Sequence, residues 1–278
     1  MSLSSLISPL ISLEETLASW QQWPIDLTEK PKLQATLSAG RSHCSFLVVS
    51  KAEFFVVRIE SKTSRELAML REQEHTLLQR LPPLCPEFVW ASDEALITRY
   101  LSGRHWIAPS HLPQLVDHLR QLHQQTLPIG DFDLLDHADG YWAKSPISHQ
   151  KEHLNFFEKQ RNHLQKTLKK YPTQSLCHND LIPENIITNG DTFAFIDWEY
   201  AAYNSPYFDL ASLAEFGPLS ADQQRDLCYR YWGSDDKQHL LALTDFRQIV
   251  RFIEWLWESL KNPDRATAVK KRLEQQTG

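Results

Sequence analysis

Residues 176–200 read Leu-Cys-His-Asn-Asp-Leu-Ile-Pro-Glu-Asn-Ile-Ile-Thr-Asn-Gly-Asp-Thr-Phe-Ala-Phe-Ile-Asp-Trp-Glu-Tyr, and no other stretch constrains the fold as tightly. Asn189-Gly190 lies between two β-rich runs, 185–188 and 192–196. Asn and Gly both tolerate the positive φ of a type I′ turn, so the chain is expected to fold back here as an antiparallel hairpin. Pairing about that turn brings Asn185 and Asp197 to the same end of the hairpin, about one strand spacing apart laterally. Asp180 precedes them on a loop, across an Ile-Pro turn.

Two acids and an amide arranged this way suit Mg²⁺ and a phosphate. Mg²⁺ takes hard oxygen ligands and keeps water and substrate phosphates in its shell, so Asp197 and Asn185 suffice as protein ligands. Asp180 is then left to accept a proton from an attacking hydroxyl while orienting it, as a kinase catalytic-loop aspartate does. His178 is the other candidate base, although a histidine just before such a loop more often hydrogen-bonds backbone.

With 278 residues, one large or two medium units are expected. The net charge of −6 argues against a nucleic-acid partner and suits a soluble protein or one that handles a cation. Cys44, Cys85, Cys177 and Cys228 are scattered without a Cys-x-x-Cys pair, which gives neither a zinc spacing nor a disulfide framework. The N-terminus is Leu/Ile/Ser-rich, but Pro9, Glu14 and Glu15 interrupt it and no basic run precedes it. Neither a signal peptide nor a membrane span is expected, and a cytoplasmic protein with no membrane partner is.

Leu10, Leu13, Leu17 and Trp20 have the spacing of an amphipathic helix ended near Pro24. The β-rich runs 34–49 and 53–60 flank a Ser50-Lys51-Ala52 turn and predict an antiparallel hairpin. Residues 64–81 predict a helix stopped by Pro82-Pro83, and 88–90 and 95–101 predict two strands before Ser102-Gly103. Beyond residue 103 strand signals nearly vanish until Ile186, while 112–125, 151–171, 220–232 and 240–261 have helical spacing. An α+β chain is expected, with a small antiparallel-sheet lobe over 1–101 and a larger, mainly helical lobe over 102–278.

His178-Asn-Asp-Leu-x-x-x-Asn185 followed by Ile196-Asp-Trp-Glu-Tyr200 resembles the signature of the choline/ethanolamine kinase and aminoglycoside phosphotransferase superfamily. That resemblance implies a two-lobed, protein-kinase-like fold and a small-molecule kinase. Asp180 would be the catalytic base, Asn185 and Asp197 the Mg²⁺ ligands, and ATP or a similar nucleotide the donor. The run 38–45 resembles the family's phosphate-covering turn, centred on Gly40, Arg41 and Ser42, where small residues let backbone N–H groups approach the anion. Arg58 matches the nucleotide-phosphate cation. Glu74 matches the acid that pairs with it, with Glu72 as a rival. Residues 97–103 resemble the hinge whose backbone bonds adenine, bringing in Thr98, Tyr100 and Leu101, and Asp209 matches a structural acid that braces the catalytic loop.

For the acceptor, residues 198–216 resemble choline kinases more than the Asp-x-Gly of aminoglycoside enzymes. By that resemblance the Trp198-Glu199-Tyr200 run borders the acceptor site. Tyr200 would be one wall of an aromatic cage, Glu215 would face the substrate cation and Trp257 would complete the cage. Ring faces and carboxylates recognise a quaternary ammonium because it has no N–H to donate. Glu254 departs from the family, which has a tryptophan there. The partner expected is a small cationic alcohol, choline or a related amino alcohol. The alternatives are thiamine, whose kinases share the 196–201 run, an aminoglycoside, or a non-catalytic kinase-shaped binding module.

Overall fold

Alternating burial along residues 43–60 shows why this part of the chain is sheet. In the computed structural model, which describes residues 7–39, 43–60 and 68–275, β1 (Lys32–Ala39), β2 (His43–Ser50) and β3 (Glu53–Glu60) run antiparallel. β2 buries Cys44, Phe46, Val48 and Ser50, and β3 buries Phe55, Val57 and Ile59, so every second side chain faces one core. With β4 (Phe88–Ala91) and β5 (Ala95–Arg99) the sheet order is β1-β2-β3-β5-β4. The expected run 34–49 therefore takes in two strands, β1 and β2. Helix α1 (Ile7–Ala18) presses Leu13 and Leu17 onto this core beside Trp23, whose ring meets Phe55 edge-on at 5.9 Å. Helix α2 (Ala68–Arg80) ends before Pro82-Pro83, as the proline pair requires; its expected start at 64 lies outside the described residues.

Two compact units emerge from the contacts, Met1–Gly103 with Ala194–Glu199, and Arg104–Phe193 with Tyr200–Gly278. The first therefore holds a six-residue insert, Ala194–Glu199, that a single boundary after residue 101 does not foresee. Phe195 N–H ties the insert to Leu84 O at 2.8 Å.

The second unit is mainly helical, with short strands where the chain must reverse. β6 (Arg104–His105) pairs antiparallel with β8 (Ile186–Asn189), which neighbours β9 (Thr192–Phe195), and β7 (Ser175–Cys177) pairs with β10 (Ala202–Asn204). Between β8 and β9 the two loop residues are Gly190 and Asp191, and only Gly190 has positive φ, at 65°. Asn189 instead closes β8, so the turn follows the type II′ preference for glycine at its first position rather than the expected I′ pattern.

Helices α3 (Leu112–His123), α4 (Leu134–Lys144), α5 (Ile147–Lys170), α6 (Pro206–Phe216), α7 (Ala221–Trp232), α8 (Lys237–Lys261) and α9 (Pro263–Gln275) complete the unit. Asp133 caps α4 by accepting from the N–H groups of Leu135 and Asp136, and Ser220 and Gln223 form a capping box on α7. The stretch 206–214 of α6 is buried throughout, so it shows no apolar stripe and helical spacing alone does not reveal it. Among the described residues no helix is long and apolar enough to cross a membrane.

Candidate active site

The loop after β7 is anchored at its start by one buried carboxylate. Asp209, on α6, accepts from His178 N–H at 2.7 Å and from Asn179 N–H at 2.8 Å, one on each oxygen. Asn179 adopts the left-handed conformation, at a φ of 64°, which an asparagine tolerates when its side chain is bonded locally. Its Nδ2 donates to Tyr200 O and Ala202 O, and its Oδ1 accepts from Asn204 Nδ2 at 2.7 Å. The β7–β10 pair thus carries the residues that fix Asn179, and Asp180 follows at the turn.

Asp180 O then accepts from Ile182 N–H at 2.9 Å, and Asn185 N–H donates to Ile182 O at 3.0 Å. The Asn185 side chain donates from Nδ2 to both the backbone oxygen and Oδ2 of Asp180, each at 2.9 Å. Asp180 and Asn185 are thus brought into direct contact, a pairing that the sequence reading did not foresee. With its amide hydrogens engaged, Asn185 presents Oδ1 as an acceptor. His178 is fully buried, and its backbone N–H serves the loop through Asp209.

In the first unit, Arg58 on β3 lies among three carboxylates. Its Nη1 donates to Glu74 Oε1 at 2.8 Å while Nη2 closes on Oε2, its Nε donates to Glu60 Oε1 at 2.9 Å, and Asp197 Oδ1 lies 3.5 Å from Nη1. Burial pulls this guanidinium down, but Glu74, Glu60 and Asp197 outweigh it and hold the group above its ordinary pKa. Glu74 is buried and Glu72 exposed, so Glu74 is the acid paired with Arg58. Asp197 also has positive φ, 65°, just before the buried Trp198, whose Nε1 donates to Phe195 O at 2.7 Å. His43, Asp197 and Glu199 carry potential ligand atoms all within 4.8 Å of one another.

Gly40, Arg41 and Ser42 lie outside the described residues. Thr98 is buried at the end of β5, in register with Val56 and Phe88. Tyr100 N–H donates to Phe54 O at 3.0 Å, so that donor already belongs to the sheet, and Leu101 is half-buried beyond it.

Around Tyr200 the second unit gathers rings that the sequence pattern did not single out. His137 lies 5.6 Å from Tyr200 and 4.5 Å from Tyr141, and Phe132 lies 5.0 Å from His137 and 6.3 Å from Tyr200, all centroid to centroid. Burial lowers the His137 pKa to about 4, with Lys144 adding to the effect and Asp136 opposing it, so the imidazole is neutral near pH 7. The four-residue spacing of His137 and Tyr141 on one helix was the available signal.

Glu215 and the tryptophans are engaged differently from what the resemblance implies. Glu215 Oε2 accepts from Arg247 Nη2 at 2.9 Å, and Arg251 Nε and Nη2 reach its two oxygens at 2.5 and 2.6 Å. Two guanidiniums already neutralise this carboxylate, so it offers a substrate cation little net charge. Trp255 is core, packed with Trp142, Phe156 and Phe252. Trp257 is more exposed, and Lys261 Nζ lies over its ring at 3.7 Å. Burial raises the Glu254 pKa, against the pull of Arg272, whose Nη2 donates to it at 3.1 Å.

The loop's donor chemistry suits a hard cation. Of the two expected ligands, Asn185 on this loop offers an amide oxygen while its Nδ2 is spent on Asp180, and Asp197 of the first unit offers a carboxylate, both hard donors of the kind Mg²⁺ takes.

A buried acid holding a polar loop in one unit, and in the other a guanidinium paired with a glutamate on a neighbouring helix, are the parts of a phosphotransferase. Residues 34–243 match the family model described as the phosphotransferase enzyme family, and the chain belongs to that family. Among curated relatives, the protein LicA of Haemophilus influenzae is 37% identical over 95 residues, 31% of this chain and 34% of that protein, so the match spans about a third of the relative's length. The solved choline kinase LicA from Streptococcus pneumoniae shares the fold, with a TM-score of 0.72 at 17% identity over 96% of this chain and 98% of that one. A structure of LicA in complex with AMP matches with a TM-score of 0.72 at 19% identity, covering 95% of this chain and 96% of that one.

Proposed function

We propose that this chain is an ATP-dependent phosphotransferase that phosphorylates the hydroxyl of a small cationic alcohol, choline or a related amino alcohol. The observation that carries the reading is the Asp180–Asn185 pair, an acid and an amide locked together on a loop that Asp209 fixes through two backbone amides. Asp180 orients the acceptor hydroxyl and takes its proton. Asn185 Oδ1 and the Asp197 carboxylate would hold Mg²⁺, which when bound neutralises charge on the transferring phosphoryl group. Arg58, kept charged and oriented by Glu74, engages the nucleotide phosphates, the turn at Gly40, Arg41 and Ser42 covers them, and the segment through Thr98, Tyr100 and Leu101 receives the base. Catalysis then rests on positioning and charge neutralisation.

The acceptor assignment is supported by the ring set Phe132, His137, Tyr141 and Tyr200, which offers aromatic faces to a cation and carries no positive charge near pH 7. The solved relative called a choline kinase and the acidic balance of the chain agree with it. In this reading Glu199 adds a carboxylate next to Tyr200 in the chain, Glu215 acts through its arginines, and Trp257 contributes at the edge.

A coupled ADP-release assay with Mg·ATP and choline, ethanolamine, thiamine or kanamycin tests the proposal. Turnover with choline or ethanolamine well above the other two is expected. Selective turnover of thiamine or kanamycin would reassign the acceptor, and nucleotide binding without turnover of any alcohol would make the chain a binding module.

A further inference from the structure

The rings around Tyr200 meet at a single histidine. His137, in the first turn of α4, lies 5.0 Å from Phe132, 4.5 Å from Tyr141 and 5.6 Å from Tyr200, centroid to centroid. The set is fastened to the strands from which the Asp180 loop leaves. Phe132 N–H donates to Tyr203 O at 2.7 Å, Tyr203 pairs with Leu176 between β10 and β7, and Tyr200 O accepts from Asn179 Nδ2 at 2.9 Å. Among the described residues the His137 ring nitrogens have no hydrogen-bond partner, and neither belongs to the sealed-off polar atoms, so a ligand can reach them. We propose that His137 is a specificity-determining residue whose ring nitrogen accepts a hydrogen bond from the substrate ammonium, so that the acceptor is an amino alcohol with at least one N–H on its cation rather than a quaternary one. This rests on the proposed function, whose acceptor class it narrows.

The chemistry of the imidazole supports this. Burial, with Lys144 adding to it, holds the His137 pKa at about 4, so near pH 7 one ring nitrogen keeps a lone pair, and a bound cation depresses that pKa further. Phe132, Tyr141 and Tyr200 present faces that attract any ammonium, methylated or not, and so do not tell one from another. The hydrogen bond does. A quaternary ammonium has no N–H, and its methyl groups against the ring nitrogen leave that acceptor desolvated and unpaired. A site built for an N–H rejects an analogue that lacks it in this way. Glu215, the acid expected to face the cation, is already spent on Arg247 and Arg251 and does not take this place.

Stepwise N-methylation separates the lone pair from the ring faces. Protonated ethanolamine, N-methylethanolamine and N,N-dimethylethanolamine all carry an N–H, and choline carries none. One acceptor needs one donor, so the Kd, measured by calorimetry with Mg·ADP present, is expected to vary within about 3-fold over the first three and to rise at least about 10-fold at choline. In His137→Phe, which keeps a ring face and removes the nitrogens, the step from N,N-dimethylethanolamine to choline is expected to shrink below about 3-fold. The imidazole ¹⁵N resonances of the wild type decide the matter should His137→Phe not fold. The unprotonated nitrogen is expected to shift on adding N,N-dimethylethanolamine and to stay near its free position with choline. Choline bound as tightly as the dimethyl compound, a step that survives in His137→Phe, or a nitrogen resonance indifferent to both ligands would overturn the proposal. Turnover tells its failure from that of the proposed function. If the affinity order and its loss in the variant hold while no alcohol is phosphorylated, the kinase assignment fails and His137 keeps its role; if the alcohols are phosphorylated with no drop at choline, the kinase assignment stands and His137 loses its role.

Discussion

Arg58 and Glu74 form a two-pronged ion pair within the first unit, with Nη1 2.8 Å from Oε1 and Nη2 on Oε2, and both side chains largely buried. A buried pair is costly to break because the survivor is left without its counter-charge. Glu60 partly compensates Arg58, so Glu74→Gln is expected to lower unfolding free energy by about 3 kcal/mol, the low end for such pairs. The exposed Glu72 predicts a change within about 0.5 kcal/mol for Glu72→Gln. Urea denaturation of the two variants checks both. The KM for ATP is also expected to rise in Glu74→Gln, since the guanidinium loses its orientation.

Asp180 is held at its backbone and one carboxylate oxygen by Asn185. Asp180→Asn keeps the shape of the side chain and removes the base. General-base catalysis contributes about 10²–10⁴-fold, so kcat is expected to fall by that factor while Mg·ATP affinity, measured by calorimetry, changes little. Turnover near wild type would remove Asp180 from the role of base.

His137 predicts a stability loss on the acid side. Its pKa is about 4 in the fold against an ordinary 6.5, so between those values the unfolded chain binds more protons than the folded one. Stability therefore holds above pH 6.5, declines as pH falls towards about 4, and loses nothing further from this group below that. A tenfold change in a proton-binding constant is worth about 1.4 kcal/mol, so the loss across the window is on the order of 3 kcal/mol. His137→Phe removes the titrating group and should flatten that part of the curve, read as the difference in unfolding free energy between about pH 7 and about pH 4.5.

What could be read from sequence follows from which signals are local. The alternation in β2 and β3 and the proline stop after α2 express their structure within a few residues. The order of Asp180, Asn185 and Asp197 marked the loop and the hairpin for the same reason. Helix α6 was hidden because burial on all sides removes periodicity, and β7 and β10 because three-residue strands carry too little pattern. The arginines on Glu215 and the rings around Tyr200 come from distant parts of the chain, and only folding brings them together.

Glu215 lies with its carboxylate spanned by Arg247 and Arg251, and Arg251 is itself buried. Two roles predict opposite results on substitution. A carboxylate that faces the substrate cation would, when changed to glutamine, raise the acceptor KM and leave stability nearly intact. One that neutralises two guanidiniums takes from both the carboxylate they share, a loss of about 3–5 kcal/mol for a buried arrangement. The geometry predicts the second outcome, so Glu215→Gln should lower unfolding free energy by that amount with or without acceptor present. Replacing Arg251 with methionine as well removes one of the two charges that shared Glu215 and is expected to recover part of the loss. Coupling of at least about 1 kcal/mol in that double-mutant cycle, measured by denaturant unfolding, is the expected sign that Glu215 acts through its arginines.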